Sequence, residues 1–281
     1  MRPGQWVKNG FVFAALLFSR HLSNLHDLLM VSAAALVFCF ISSAVYLVND
    51  VFDAAEDRLH PVKRLRPVAS GALPEAAAVA ASAVMGGLAF AAGAWLDRTL
   101  LLTLAIYAGV NLLYSAWLKR VMLVDVFLIS AGFVLRVLAG GLVIHVEISS
   151  WLIICTTLLA LFLALSKRRH ELVLMGGQSS LHRATLEHYS PYFLDQLIAI
   201  VTASTVMSYA LYTFSADARA KFPGRHLELT IPFVIFGIFR YLYLVHQREQ
   251  GGNPTLMLFS DRVLLSSVLM WAAAIVLIIY F

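Results

Sequence analysis

Long apolar runs alternate with short polar segments along the whole chain. An α-helix needs about 20 apolar residues to cross a bilayer, and six uncharged windows have that length: 28–49, 76–96, 99–118, 148–166, 196–216 and 263–281. Three further windows are short or contain charges: 9–19, 121–144 with Asp125 and Arg136, and 229–247 with Arg240. The pattern predicts an all-α membrane protein with nine transmembrane helices.

The composition excludes a soluble domain. Of the 281 residues, 60% are hydrophobic and 13% are charged, whereas soluble domains average about 45–50% apolar and about 25% charged residues. We expect a single integral membrane domain over residues 1–281. The polar residues Lys8 and Asn9 and the lack of a small-residue cleavage site indicate a retained first helix, not a signal peptide. Cys39 and Cys155 lie inside apolar windows without metal-site spacing.

Lysine and arginine are distributed unevenly between alternate loops. Cytoplasmic loops of membrane proteins carry an excess of these residues. With the N-terminus in the cytoplasm, 14 of the 21 Lys and Arg residues fall on that side and five fall outside, while Arg136 and Arg240 lie within spans. This asymmetry predicts a cytoplasmic N-terminus. It also accounts for the net charge of +5, so we expect no nucleic-acid partner.

Three acidic residues, Asp50, Asp53 and Asp57, have the helical spacing i, i+3 and i+7. A helix from Leu28 would place them on one stripe, with Asn49 beside Asp53. Carboxylates repel one another at the negative end of a helix, so a cation should compensate them. Mg²⁺ is usually held by one or two carboxylates with phosphate oxygens and water. Basic residues that could contact the same phosphates follow: Arg58, Lys63, Arg64 and Arg66.

An alternative interpretation of this acidic segment is a solvated cytoplasmic loop, in which acids and bases merely neutralise one another. A calcium loop of the EF-hand type is excluded, because the segment has neither the central glycine nor the distal glutamate that such a loop needs.

Two other segments on the predicted cytoplasmic side are basic. The segment YSAWLK contains Tyr114 and Lys119, and SKRRHE, in the loop expected after the sixth helix, contains Lys167, Arg168 and Glu171. Each is either a topological anchor of its helices or a phosphate subsite. Together with the acidic stripe they suit an anionic phosphorylated substrate that reacts with a lipid.

Asp125 and Arg136 lie inside a predicted span. Ionisable residues there cost at least about 2.5 kcal/mol and usually face the bundle interior. The two residues are eleven positions apart, about three helical turns, which is too far for a direct pair. Each therefore needs its own partner, and a lipid phosphate is a candidate for Arg136.

The segment NDVFDAAEDR resembles the first aspartate-rich motif of the UbiA superfamily of membrane prenyltransferases. The resemblance implies a nine-helix bundle with cytoplasmic active-site loops, in which the acids bind Mg²⁺ that holds a diphosphate. It also implies a second aspartate-rich motif between helices six and seven, where this chain has SKRRHE. One branch of the superfamily is similar to this chain in five segments: RPGQWVKNGFVFAALLFS, DRLHPVKRLRPVASG, YSAWLK, GFVLRVLAGG and SKRRHE itself. That branch transfers 5-phosphoribose from phosphoribosyl diphosphate to a polyprenyl phosphate and releases diphosphate.

The resemblance implies roles for particular residues and a bacterial plasma membrane location, and it permits a homo-oligomer that no residue requires. The residues expected to bind metal and diphosphate are Asn49, Asp50, Asp53 and Asp57, the three aspartates being catalytic. The residues expected to contact phosphate or ribose are Lys8, Asn49, Arg58, Lys63, Arg66, Tyr114, Lys119, Arg136, Lys167, Arg168 and Glu171. A phosphate nucleophile is already ionised at neutral pH, so no general base is assigned.

Two alternatives stay open at this point. One is transfer of a prenyl chain from its diphosphate to an aromatic acceptor. The other is a secondary transporter in which Asp125, Arg136 and Arg240 form a charged relay within the membrane. A transporter should show an internal repeat, and the sequence contains no convincing one.

Overall fold

The computed structural model describes residues 2–59, 63–175, 189–248 and 251–281, and within these ranges its regular elements are helices. Four 3₁₀ helices cover Pro3–Phe13, Lys63–Leu65, Leu118–Arg120 and Leu227–Thr230. The α-helices are, in chain order, α1 (Ala14–Phe18), α2 (Leu25–Phe52), α3 (Ala54–Leu59), α4 (Glu75–Leu96), α5 (Arg98–Ala116), α6 (Val124–Val143), α7 (Ser150–Met175), α8 (Pro191–Phe214), α9 (Ala216–Lys221), α10 (Ile231–Gln247), α11 (Pro254–Ser260) and α12 (Arg262–Tyr280).

The prediction of a helical membrane protein is confirmed. In the part of the chain that the structure describes, eight helices are long and apolar enough to span a bilayer: α2, α4, α5, α6, α7, α8, α10 with the 3₁₀ turn before it, and α12. Each corresponds to a predicted window. Several begin at a residue whose side chain accepts hydrogen bonds from the first free backbone N–H groups, namely Asn24, Asp97, Ser190 and Asp261.

The ninth predicted span, window 9–19, is helical but differs in kind. The 3₁₀ helix Pro3–Phe13 has 11 residues and α1 has five. At rises of about 2.0 Å and 1.5 Å per residue, the two together extend about 30 Å, close to the bilayer core thickness. A ninth span therefore stays a prediction, because the first segment is not a regular α-helix of spanning length.

Successive spanning helices pack side by side, and the two ends of the chain meet. Contacts join α2 to α4, α4 to α5, α5 to α6, α6 to α7 and α7 to α8, and α10 packs on α12. Tyr280, at the end of α12, donates a hydrogen bond to the Leu17 carbonyl at 3.1 Å and accepts one from the Leu22 N–H at 3.1 Å. These bonds connect the last helix to the N-terminal segment.

The N-terminal 3₁₀ helix packs against α6 at a glycine. A Cβ on Gly140 would lie 1.8 Å from the Val12 carbonyl oxygen, and one on Gly141 would lie 2.5 Å from Ile148. Only glycine permits this approach of backbone to backbone. The paired glycines of GFVLRVLAGG therefore set the position of the segment that carries Lys8 and Asn9.

Helix α7 continues beyond its predicted window, so SKRRHE is helical and the prediction of a loop there was wrong. Arg168 bonds to Glu171 at i+3, and Lys167 lies 3.9 Å from Glu171 at i+4. Such pairs stabilise a helix, and basic side chains are favourable near its C-terminus. Hydropathy ends the apolar window at Ser166, but these polar contacts carry the helix about two further turns.

Candidate active site

A cavity of about 2490 Å³ lies between the helices and has two chemically different ends. The apolar end is lined by aromatic side chains that include Phe18, Trp151, Tyr212 and Trp271. The polar end collects eight of the predicted site residues, Asn49, Asp53, Lys63, Arg66, Tyr114, Lys167, Arg168 and Glu171, and two more, Lys8 and Arg136, line the cavity as well. A cavity of this kind suits an amphiphile whose charged head meets a second, charged molecule.

Asp53 is the acidic residue of the stripe that faces the cavity. It ends α2, and its carboxylate forms a buried ion pair with Lys119. Asn49 donates a hydrogen bond from Nδ2 to Asp53 Oδ2 at 2.9 Å, and Ser115 donates from Oγ to Asn49 Oδ1 at 2.9 Å. The end of α5 therefore orients both cavity-facing groups of the acidic motif.

Asp50 and Asp57 lie behind Asp53 and do not line the cavity. They are 5% and 3% exposed, and Arg66 contacts both, at 3.5 Å from Asp50 and more closely at Asp57. Arg2 also pairs with Asp50. The single helix that we expected to carry all three acids is interrupted, because α2 ends at Phe52 and α3 begins at Ala54. The helical spacing is kept across this break, since the Asp53 and Asp57 N–H groups bond four residues back at 2.9 and 2.8 Å. Two acids of the expected stripe, Asp50 and Asp57, therefore face the guanidinium groups of Arg2 and Arg66, and only Asp53 faces the cavity.

The donor chemistry of the motif fits a hard divalent cation. Asn49 and Asp53 present amide and carboxylate groups to the cavity, and Mg²⁺ prefers oxygen ligands. Among the described residues, no three His, Cys, Asp or Glu side chains lie close enough together to hold a metal by themselves. Two such side chains fit an ion whose other ligands are phosphate oxygens and water.

One face of α7 supplies cations to the same polar end. Lys167 and Arg168 line the cavity with Glu171. Arg168 is 1% exposed, and its Nη1 donates to Glu171. Lys63, in the 3₁₀ helix after the acidic motif, lines the cavity as well. The basic groups of α7 are therefore far from the acidic motif in sequence but line the same cavity as Asp53.

Arg136 is buried without an acidic partner among the described residues. Its guanidinium donates to Asn9 Oδ1 at 2.8 Å, to the Gly132 carbonyl at 2.6 Å and to Tyr107 Oη at 2.9 Å. It also lies over the Tyr107 ring, 4.8 Å from the centroid. These neutral acceptors leave its positive charge uncompensated at the wall of the cavity, where an anion would be stabilised.

Besides Asp50 and Asp57, two more predicted site residues do not line the cavity, Arg58 and Lys119. Arg58 is exposed and bonds to Glu75 at 3.2 Å and to the Ala69 carbonyl at 3.4 Å. Lys119 is buried behind Asp53, so it orients that carboxylate and is shielded from a ligand. Their proximity in sequence to the motif indicated binding, but the fold directs Arg58 outward and Lys119 to the far side of Asp53.

Four residues of the site were not predicted: Arg2, Ser115, Asp125 and Tyr189. Arg2 was counted only as a topological anchor, although it lines the cavity and pairs with Asp50. Asp125 carried a signal, because a buried acid in a span requires a partner. Ser115 and Tyr189 carried none, since hydroxyl groups are common in helices and loops alike.

The charged relay that a transporter would need is not continuous. Asp125 lies 3.2 Å from Arg168, and Arg240 forms a bidentate pair with Asp261 at 3.1 and 2.7 Å. Arg240 lines a separate small pocket and not the main cavity. Asp125 and Arg240 are therefore each held in a local ion pair. Arg136 has no acidic partner among the described residues through which a relay could continue.

Curated relatives extend over the whole chain. The chain is 36% identical to a decaprenyl-phosphate phosphoribosyltransferase of Corynebacterium glutamicum, with 100% of the chain and 85% of the relative aligned. It is 34% identical to a protein of the same name from Mycobacterium tuberculosis, with 98% and 91% aligned. Identities of this size over complete chains indicate a common family and fold.

The solved structures agree with this relationship. A UbiA homolog from Archaeoglobus fulgidus, bound to GPP and Mg²⁺, superposes with a TM-score of 0.74 at 18% identity, covering 100% of this chain and 98% of that one. Residues 10–260 match the profile of the UbiA prenyltransferase family. With its eight apolar spanning helices in the described ranges, this chain is a multi-pass membrane protein and belongs to the UbiA prenyltransferase family.

Proposed function

We propose that this protein transfers 5-phosphoribose from phosphoribosyl diphosphate to a polyprenyl phosphate and releases diphosphate, in a reaction that depends on a divalent metal. The observation that carries the proposal is the basic face of α7. Lys167 and Arg168 line the same cavity as Asn49 and Asp53, at the place where a second acidic motif is expected in the superfamily. The curated relatives, named as decaprenyl-phosphate phosphoribosyltransferases, support it.

The two anionic groups of the donor correspond to the two kinds of side chain at the polar end. The diphosphate is assigned to the acidic motif, where Asp53 and Asn49 would hold Mg²⁺. The 5-phosphate is assigned to Lys167, Arg168 and Lys63, because a phosphate monoester requires cations and no second metal. A second acidic cluster on α7 would repel that phosphate.

The lipid acceptor is assigned to the deeper part of the cavity. Arg136 lies 12 residues after Val124, the first residue of α6, which is about 18 Å along the helix. Lys8 precedes Asn9, the residue that bonds to Arg136. These two cations lie on the way to the aromatic end of the cavity. They would bind the acceptor phosphate while the prenyl chain extends among Phe18, Trp151 and Trp271.

The reaction is a displacement at C1 of the ribose. An oxygen of the acceptor phosphate forms a bond to C1 while the bond from C1 to the diphosphate oxygen breaks and its electron pair leaves with diphosphate. A divalent metal held by Asp53 and Asn49 would supply positive charge against the leaving diphosphate. Arg66 adds positive charge beside it, and Lys63, Lys167 and Arg168 fix the donor at its other phosphate. No general base is needed, since the acceptor phosphate is ionised.

The membrane orientation is part of the same proposal. A soluble donor reaches the site from the cytoplasm if the ends of α2, α5 and α7 face that side. The excess of Lys and Arg on this side supports a cytoplasmic N-terminus, and the bacterial relatives support location in the plasma membrane.

Turnover of purified protein in detergent tests the proposal. Phosphoribosyl diphosphate, a polyprenyl phosphate and MgCl₂ should yield a phosphoribosylated lipid, detected by mass, together with diphosphate. EDTA should abolish formation of the phosphoribosylated lipid, and excess Mg²⁺ should restore its formation. A parallel reaction contains a polyprenyl diphosphate and an aromatic acid. Prenyl transfer in that reaction, without any phosphoribosylated lipid in the first, would overturn the proposed donor and acceptor.

A further inference from the structure

Arg168 is enclosed by two carboxylates from different helices. Its Nη1 bonds to Glu171, one turn further along α7, and its Nε lies 3.2 Å from Asp125 Oδ2 at the start of α6. Among the described residues, Nη2 has no hydrogen-bond partner. Because Glu171 bonds Nη1 and Asp125 lies beside Nε, Nη2 is the group available to an anion in the cavity that Arg168 lines.

Asp125 contacts Arg168 from behind and does not itself line the cavity. It is 1% exposed, and its Oδ1 accepts a hydrogen bond from Tyr189 Oη at 3.3 Å. The same Tyr189 oxygen accepts a bond from the Leu123 N–H at 2.8 Å. Burial raises the pKa of Tyr189 to about 12, so its hydroxyl stays protonated at neutral pH and can donate to Asp125.

The backbone beside Asp125 is held in an unusual conformation. Leu123, which precedes the first residue of α6, has φ +66°, in the left-handed region that branched side chains avoid. Its N–H bonds to Tyr189. The hydroxyl of one residue thus stabilises a strained turn and, two residues later, orients a carboxylate toward Arg168.

The contact between Asp125 and Arg168 is close but poorly aligned. Asp125 Oδ2 and Arg168 Nε are both buried without a formed hydrogen bond among the described residues. Buried polar atoms are nearly always bonded, so an exception calls for an explanation. The missing bond between Asp125 and Arg168 is explained if the guanidinium rotates slightly when an anion binds to it. It would then contact the anion on one side and Asp125 on the other.

We infer that Asp125, held by Tyr189, is a positioning residue that aims Arg168 at the 5-phosphate of the donor. The inference rests on the proposed function, which assigns that phosphate to α7. Neither Asp125 nor Tyr189 lines the cavity, so both act through Arg168. Their loss should weaken donor binding and leave the acceptor lipid unaffected.

A double-mutant cycle on the full-length protein tests this role. Asp125→Asn should raise the KM for phosphoribosyl diphosphate about tenfold, while the KM for the polyprenyl phosphate changes less than about twofold. In an Arg168→Gln background, Asp125→Asn should add less than about twofold, because its partner is already gone. Independent, multiplying effects of the two substitutions would overturn the inference.

Asp195→Asn is the matched control. Asp195 pairs with Arg169, the neighbour of Arg168, at 2.5 Å, and neither residue lines the cavity. Its donor KM should equal that of the wild type. If Asp125→Asn does not fold, Tyr189→Phe decides the question. It removes only a hydroxyl and should raise the donor KM about threefold in protein that is still folded at the assay temperature; an unchanged KM would overturn the inference.

The wild type, assayed in parallel, separates this inference from the proposed function. Wild-type protein that forms no phosphoribosylated lipid would defeat both. Wild-type protein that forms it, with a normal donor KM in folded Asp125→Asn, would defeat the positioning role alone.

Discussion

Lys119 is the residue that neutralises Asp53 in this structure, while Arg2 and Arg66 neutralise Asp50 and Asp57. Buried carboxylates are stable only when they are paired in this way. Metal binding at Asp53 is therefore expected to require the charge of an incoming diphosphate.

We expect Asp53→Asn to lower kcat at least about 100-fold, because it removes a charge that would hold the metal against the leaving group. Turnover of monodisperse protein is the measurement. Glu56→Gln is the control, since Glu56 belongs to the same motif but is exposed and lies 3.9 Å from Arg120. Wild-type turnover in Asp53→Asn would refute the metal assignment.

Arg66→Gln should reduce stability in a manner that depends on pH. Burial raises the pKa of Asp57, although the Arg66 guanidinium acts to lower it. Without Arg66 that pKa rises further, so at neutral pH the fold contains an unpaired buried charge, a loss of about 1–3 kcal/mol.

Protonation of Asp57 should relieve this loss. A carboxyl group whose pKa is higher in the folded state favours folding as the pH falls, so the deficit of Arg66→Gln should shrink between neutral pH and the unfolded-state value near about 4. Thermal unfolding in detergent over this range measures it, with Arg58→Gln as the exposed control. A deficit that is constant with pH would contradict the explanation.

The elements of the bundle position the site by close packing. The N-terminal 3₁₀ helix carries Lys8 and Asn9 to Arg136 only because Gly140 admits the Val12 carbonyl. The end of α5 bonds to the end of α2 through Ser115 and Asn49. Each of these contacts joins segments that are far apart in sequence.

Gly140→Ala should displace the N-terminal segment. The added methyl group would lie 1.8 Å from the Val12 oxygen, an overlap that neither backbone can relieve without moving, and such overpacking costs about 1–3 kcal/mol. We expect a lower melting temperature and a higher KM for the acceptor lipid. Gly109→Ala, where a Cβ meets nothing within 4 Å, should show neither change, and equal behaviour of the two variants would contradict this packing role.

At the scale of the whole molecule, charge and hydropathy orient the bundle in its membrane. The proposed orientation places Arg58 in the cytoplasm and Arg225 outside. Cysteines introduced at these two positions should therefore react with an impermeant maleimide from opposite sides of sealed vesicles. Labelling of both from one side would contradict the topology and the proposed route of the soluble donor. Protein with Cys39 and Cys155 replaced by Ala provides the background.

Prediction from sequence succeeded where the physics is local. Uncharged runs located six of the eight spanning helices of the described ranges and two charge-containing apolar windows located the others, because hydrocarbon disfavours charge and unpaired backbone groups. It failed where an element's end depends on contacts: α7 continues through SKRRHE because Arg168 and Lys167 pair with Glu171. The roles of Ser115 and Tyr189 carried no sequence signal, since both depend on partners more than 60 residues away.

By itself, then, the sequence determined a helical membrane protein with an acidic motif at one end of α2, together with the basic segments that a phosphorylated substrate would need. Only the tertiary structure decided which of those groups share one cavity. It turned Asp53, Lys167 and Arg168 inward, Arg58 outward, and covered Asp50 and Asp57 with guanidinium groups. The physical reason is that spacing along a helix fixes a direction relative to that helix alone, whereas the facing partner is supplied by packing between helices.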